Sequence, residues 1–191
     1  MNRILTRQYP EPRRVLSGAC VWLTGLSGAG KSTTALALRE RLRAAGLAAM
    51  VFDGDALRRA ARRRLGFSKA DRDANVLRAA RLACEAANRG AVAICALISP
   101  YRATRATARV LVGTERFVEV FIDTPLRVCE DRDPQGLYRR FRDGAVQGVT
   151  GLDAPYEPPL APELTLQTEG RTVDENVSRI LAWLWSHQLK H

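Results

Sequence analysis

Lysine is nearly absent from this chain. Lys31, Lys69 and Lys190 are its only lysines although its formal net charge is +10, so almost all of its basic residues are arginine. Together with several Ala-rich helical stretches, that skew bears the mark of coding bias and weakens the charge as an argument for a nucleic-acid partner. No RNA-binding motif appears, aromatic residues make up only 6%, and the arginines are scattered, so nucleic acid is not expected as a partner. Histidine is rarer than lysine. His187 and His191 sit near the C-terminus without ligand spacing, which excludes a zinc site of the usual Cys/His kind. Cys20, Cys84, Cys95 and Cys129 form no CxxC pair and lie in apolar stretches, so they read as small buried hydrophobes of a reducing compartment. Long apolar runs are missing too, since Gly and polar residues break each one within about ten positions, and no membrane span is expected. The opening MNRILTRQYPEPRR has neither an apolar core of signal-peptide length nor a small-residue cleavage site, and the expectation is a cytoplasmic protein.

What is present suffices for one domain. A chain of 191 residues, 46% of them hydrophobic, can bury a core without disulfides or metals. Residues 1–17 read as an extended lead-in and 18–191 as a single domain. Four short β-branched or aromatic runs, at 19–25, 47–55, 91–99 and 115–125, read as strands, with a weaker fifth at 163–170. Helical periodicity fills the gaps at 31–45, 55–64, 69–89, 101–112, 125–132 and 173–188. Strict alternation of strand and helix predicts an α/β fold, a mostly parallel five-stranded sheet with helices on both faces. The last helix presents Val177, Ile180, Leu181, Leu184 and Trp185 at helical spacing, a core-facing stripe. Between 133 and 160 the pattern fails at repeated Gly and Pro, and a segment this long and irregular reads as a lid.

The stretch Gly25-Leu-Ser27-Gly28-Ala29-Gly30-Lys31-Ser32-Thr33 carries the chemistry. Its GxxxxGKS spacing is that of a P-loop, set between an apolar strand and an amphipathic helix as that motif requires. Glycines let successive N–H groups converge on phosphate oxygens, and the following helix turns its positive end to the same anion. Lys31 is positioned to reach the β- and γ-phosphates of ATP, and the Ser32 hydroxyl to ligate Mg²⁺. The second strand ends in Asp53-Gly54-Asp55, which puts carboxylates at the sheet edge where ligands of open α/β sheets collect. Asp55 is the expected N-cap of the next helix, and Asp53 the residue facing an acceptor hydroxyl or the metal shell.

Four stretches in this order, GLSGAGKST (25–33), DGDALR (53–58), LGFSKADRDAN (65–75) and ISPYRATR (98–105), followed by RDPQGLYRR and TGLDAPYEPP in the lid, resemble the adenylylsulfate kinase family of P-loop kinases. The resemblance spans about 18 to 185. It implies transfer of the γ-phosphate of MgATP to the 3′-hydroxyl of adenosine 5′-phosphosulfate, with small-molecule nucleotides as partners. It assigns substrate contacts to Arg58, Phe67, Arg72, Asn75, Ile98 and Ser99, and phosphate-clamping roles to the lid residues Arg132, Arg139 and Arg140. A serine at the place of Ser99 has been proposed in that family as a phosphoserine site. Direct in-line transfer is the expectation here, because a hydroxyl beside a proline turn is more often a structural hydrogen-bonder. Arg78, outside the family's positions, reads as part of a solvated helix face. Homodimers are common in the family, and nothing in this chain selects for or against one.

The chain also departs from the family's pattern. Arg58 is followed by Arg59-Ala60-Ala61-Arg62 where HGLN is usual, and Ala74 stands where a carboxylate is usual. In the lid, Gln135 and Gln147 replace lysines and Val149 a phenylalanine. Two alternatives therefore stay open: a kinase of this family with another nucleotidyl or small anionic alcohol as acceptor, and, motivated by charge alone, an ATP-dependent nucleic-acid-binding module.

Overall fold

Both faces of the first strand are buried, which is why it reads as an unbroken apolar run rather than an alternating one. The computed structural model describes residues 18–61 and 65–187. The expected lead-in at 1–17, the end of the helix expected over 55–64 with Arg62, and Lys190 and His191 lie outside the described residues. In chain order the elements are β1 (Cys20–Thr24), α1 (Lys31–Ala44), β2 (Ala49–Asp53), α2 (Gly54–Arg59), α3 (Lys69–Asn88), β3 (Val92–Ala96), α4 (Arg102–Val112), β4 (Phe117–Ile122), α5 (Leu126–Arg132), α6 (Leu137–Arg142), β5 (Leu164–Leu166) and α7 (Val173–Ser186).

The strands form one all-parallel sheet in the order β2-β3-β1-β4-β5. Successive side chains along β1 belong to different cores. Val21 and Leu23 join Leu38 and Leu42 of α1 and Val177, Ile180, Leu181 and Leu184 of α7 on one face. On the other, Cys20 and Trp22 meet Val76, Ala79, Ala80 and Ala83 of α3 and Ala108 and Val112 of α4. The contacting side of α3 is almost all alanine, so the helix lies close to the sheet, and the indole of Trp22 fills the space, stacked on Phe117 at 5.4 Å between ring centroids. Among the described residues no helix is long and apolar enough to cross a membrane.

Four expectations change. The segment 133–160 is not a bare loop: it holds α6 and a bridge between Thr150 and Ala154, and it is pinned to the core by the buried Tyr138, Val149 and Thr150. Flanking glycines and a length of 6 residues hid α6, too short for helical periodicity to register. In α7, Trp185 is 44% exposed, and Trp183 packs on the core instead. Cys84 is half-buried, while the other three cysteines are buried as expected. Arg78 is not a solvated arginine: it donates to the Leu57 and Ala60 carbonyls at 2.9 and 3.1 Å, closing the C-terminal end of α2.

Candidate active site

β1 neighbours both β3 and β4, so the chain departs to opposite sides of it, and a crevice opens at the carboxyl edge of the strands. A cleft of about 460 Å³ lies there, and a smaller cavity of about 60 Å³ adjoins it. Gly54, Asp55, Phe67, Leu97 and Ile98 line both.

The loop from Gly25 to Gly30 forms one end of the cleft and leads into α1, whose N-cap, Gly30, has φ 103°. Gly28 (φ 74°) could not be replaced by a larger residue, because a Cβ there would stand 2.7 Å from the Cys129 carbonyl oxygen. Ser27, Gly28, Gly30, Lys31, Ser32 and Thr33 line the cleft. Gly25 and Ala29 do not: Ala29 is fully buried, and a Cβ on Gly25 would meet the Ile122 carbonyl at 2.6 Å, so both shape the loop from behind. Lys31 is 8% exposed, and its ammonium donates to the carbonyls of Gly25 (3.0 Å) and Leu26 (2.6 Å). Burial brings its pKa down to about 8, and the carboxylates of Asp55 and Asp53 pull part of the way back.

Asp53 stands at the end of β2. Its Oδ1 accepts the N–H groups of Asp55 and Ala56, both at 3.0 Å, so Asp53 and not Asp55 is the N-cap of α2. Its Oδ2 accepts from Ser32 Oγ at 2.7 Å. Asp55, two residues along, lines both cavities and accepts from Gln135 Nε2 at 2.8 Å.

The smaller cavity gathers Arg58, Phe67, Arg72, Asn75, Ile98 and Ser99. Phe67 is 59% exposed, with the guanidinium carbons of Arg58 and Arg72 at 5.0 and 5.9 Å from its ring centroid. Burial lowers the pKa of Arg58, and the nearby charge of Arg72 lowers it further, a pairing of cations that favours an anion beside them. Arg72 is itself a brace. It donates to the Phe67 carbonyl (2.9 Å), to Thr150 Oγ1 (2.5 Å) and to the Gly148 carbonyl, tying the smaller cavity to the segment after α6. Asn75 donates to the Gly54 carbonyl at 2.9 Å, and its buried Oδ1 has no partner. Ser99 has φ 39° and is 2% exposed; its hydroxyl accepts from Trp22 Nε1 (3.1 Å) and donates to Thr24 Oγ1 (3.0 Å), a fixed structural position. Arg105, 3% exposed, holds that turn by donating to the Ser99 carbonyl at 2.7 Å.

From the far side come two of the lid arginines that the resemblance named, and residues that no local pattern announced. Arg132 lines the cleft and donates to Thr168 Oγ1 at 2.8 Å. Arg140 lines it as well, whereas Arg139, one position round the short helix α6, is exposed and does not. Thr168, Arg171 and Asn176 complete the wall, and the buried Asn176 Oδ1 also lacks a partner. Thr168 and Asn176 flank the start of α7, more than a hundred residues from the loop they face, so spacing could not reveal them.

Residues 17–167 match the family model described as adenylylsulphate kinase. The chain belongs to this family. The adenylyl-sulfate kinase of Paraburkholderia xenovorans is 51% identical over 167 residues, covering 87% of this chain and 93% of that one. That of Rippkaea orientalis is 47% identical over 163 residues, 85% and 89% of the two chains. Among solved structures, the Mycobacterium tuberculosis APS kinase in complex with AMPPNP and APS superposes with a TM-score of 0.83 at 42% identity, covering 88% of this chain and 98% of that one. As an adenylylsulphate kinase the chain is an ATP-dependent phosphotransferase with nucleotide substrates, and its all-parallel sheet order is that of the family's structures.

Proposed function

We propose that this chain transfers the γ-phosphate of MgATP to the ribose 3′-hydroxyl of adenosine 5′-phosphosulfate, giving 3′-phosphoadenosine 5′-phosphosulfate. The observation that carries the reading is the shared wall of the two cavities, with the P-loop on one side of it and the arginine pair around Phe67 on the other. ATP lies in the larger cleft with its phosphates on the loop and α1; the acceptor lies in the smaller cavity, its adenine on Phe67 and its phosphosulfate by Arg58 and Arg72. Asn75 Oδ1 offers that ligand an acceptor. The hydroxyl to be phosphorylated then passes Asp55, the one carboxylate that lines both cavities. Lys31 stabilises the transferring phosphoryl group in line between them.

The residues fit magnesium. Mg²⁺ takes oxygen ligands, keeps several waters and needs only one or two protein groups beside the nucleotide phosphates. The Ser32 hydroxyl and the Asp53 carboxylate, 2.7 Å apart at the cleft wall, make such a pair, and no cluster of three or more acidic, His or Cys side chains exists among the described residues to hold a metal independently. When bound, the ion would neutralise charge on the β- and γ-phosphates.

Most departures from the family's pattern lie away from the acceptor, which supports an unchanged substrate. Ala74 and Gln147 are exposed and Val149 is buried in the core, none of them lining either cavity. Gln135 is the exception, and it makes a hydrogen bond with Asp55. The test is ADP release from MgATP with and without adenosine 5′-phosphosulfate. Release that depends on the acceptor is expected; its absence from a folded protein that still binds ATP would overturn the assignment.

A pH dependence follows from Lys31. Below about pH 8 the free site carries the ammonium that the phosphates need. Above it, nucleotide binding must first take up a proton, so affinity for ADP is expected to fall by up to about tenfold per pH unit. For the unliganded fold the sign is opposite. The unfolded lysine binds its proton up to about pH 10.5, so between about 8 and 10.5 the unfolded state holds more protons and this group adds stability as pH rises. Calorimetric titration with ADP from pH 7 to 9.5 measures the first effect, and a flat profile would rule it out.

A further inference from the structure

A P-loop needs its N–H groups aimed at the phosphate, yet four of the five peptides from Gly25 to Gly30 involve a glycine, and such peptides turn over at little cost. The motif does not say what holds them. In this chain each carbonyl from Gly25 to Ala29 accepts a hydrogen bond from outside the sequence of loop peptides or from its own turn. Lys31 supplies those to Gly25 and Leu26, and Leu26 also accepts the Ala29 N–H at 3.2 Å. The Ser27 carbonyl accepts from the Tyr138 hydroxyl at 2.9 Å. The Gly28 carbonyl lies 3.3 Å from an Arg132 nitrogen. The Ala29 carbonyl lies 3.0 Å from Thr124 Oγ1 and 3.1 Å from Thr168 Oγ1, which are 2.7 Å from each other, so one hydroxyl donates to the carbonyl while the other completes the pair.

In a trans peptide the C=O of one residue and the N–H of the next point in opposite directions. A donor that holds a carbonyl on the core side therefore aims the following N–H at the cleft. Tyr138 is fully buried and does not line the cleft, whereas Ser27 and Gly28 do. We propose that Tyr138, carried by α6 of the lid segment, is a positioning residue for the phosphate cradle: it holds the Ser27–Gly28 peptide with its N–H toward the nucleotide phosphates, as Thr124 and Thr168 hold Ala29–Gly30. Burial raises the pKa of the phenol, so it remains a donor across the working range. The lid thereby acts on ATP twice, through Arg140 at the cleft wall and through the loop itself from behind.

The inference rests on the nucleotide-binding part of the function above and is read from ADP binding alone, so it can fail while acceptor-dependent ADP release stands, and the reverse. Tyr138→Phe removes one oxygen and keeps the ring that fills the core. ADP affinity and kcat/KM for ATP are each expected to fall about tenfold, the usual effect of losing one well-placed hydrogen bond near a charge. KM for adenosine 5′-phosphosulfate should stay within about twofold, a split that a general loosening of the fold would not produce. Thr124→Val with Thr168→Val should weaken ADP in the same way, and Thr124→Ser with Thr168→Ser should restore it. If Tyr138→Phe does not fold, the threonine pair carries the test. ADP binding unchanged in either folded variant, or KM values for both substrates rising together, would overturn the proposal.

Discussion

Replacing Lys31 with Met is expected to cut kcat/KM for ATP by at least about 10²–10³-fold, the scale seen when a group that stabilises transition-state charge is removed. The loss has two parts. The ammonium that would meet the γ-phosphate is gone, and the Gly25 carbonyl loses the donor that holds it. Lys31→Arg should not restore activity, because a planar guanidinium does not fit a site where the lysine is 8% exposed and wrapped by two carbonyls. Stability should respond in the opposite sense. Burial disfavours the charged lysine, so a Met of similar length is expected to hold or raise the melting temperature below pH 8. ADP release and thermal unfolding on the same preparation check both, and a Met variant that turns over normally would refute the assigned role.

Asp53→Asn is expected to have the second largest effect, a fall in kcat on the order of 10²-fold together with a higher magnesium requirement. Asparagine keeps an oxygen to cap α2, so the fold should survive. What it loses is the negative charge beside Ser32, which is the side that would face the metal. Asp55→Asn separates the two carboxylates. Asp55 lines both cavities and its carboxylate bonds to Gln135 rather than to Ser32, so its variant should lose kcat at an unchanged magnesium midpoint. Magnesium titrations of ADP release distinguish the pair. A shared midpoint shift in both variants would assign the metal shell to both, and no shift in Asp53→Asn would remove Asp53 from it.

The parts of this molecule that could be read from its residues are those whose reason is local. The strands announce themselves because both faces of the sheet are buried, and the loop at 25–33 because its glycines have no other use at that spacing. Even the 3-residue β5, expected only weakly, pairs with β4 in register. Reading failed where the reason lay elsewhere in space. Asp53 and Asp55 were expected in exchanged roles at the cap, since an Asp-Gly-Asp turn permits either and only the path of β2 into α2 decides. Arg139 and Arg140 differ by a rotation of about 100° on α6, a helix too short to display a period. Arg72 was expected as a ligand-binding arginine, and nothing in its neighbourhood foretold that it also braces residues 148 and 150. Thr168 and Asn176 enter the cleft only because α7 packs against α1 beneath it.

The alanine face of α3 has a bearing on how this enzyme can change. The helix runs for 20 residues, roughly 30 Å, with Arg72 and Asn75 near its first turns and Ala79 to Ala87 lying on the sheet. Its distance from the strands is thus set by the smallest side chain that has a Cβ, and the proposed acceptor subsite rides on the end of the same rod. An added methylene anywhere along that contact would tilt the rod and carry the substrate's anchor points away from the phosphate donor. The alanines, far from the chemistry and without a functional group among them, act as the shim that sets the reach between two substrates, and drift in specificity can begin there without touching a residue that meets either one.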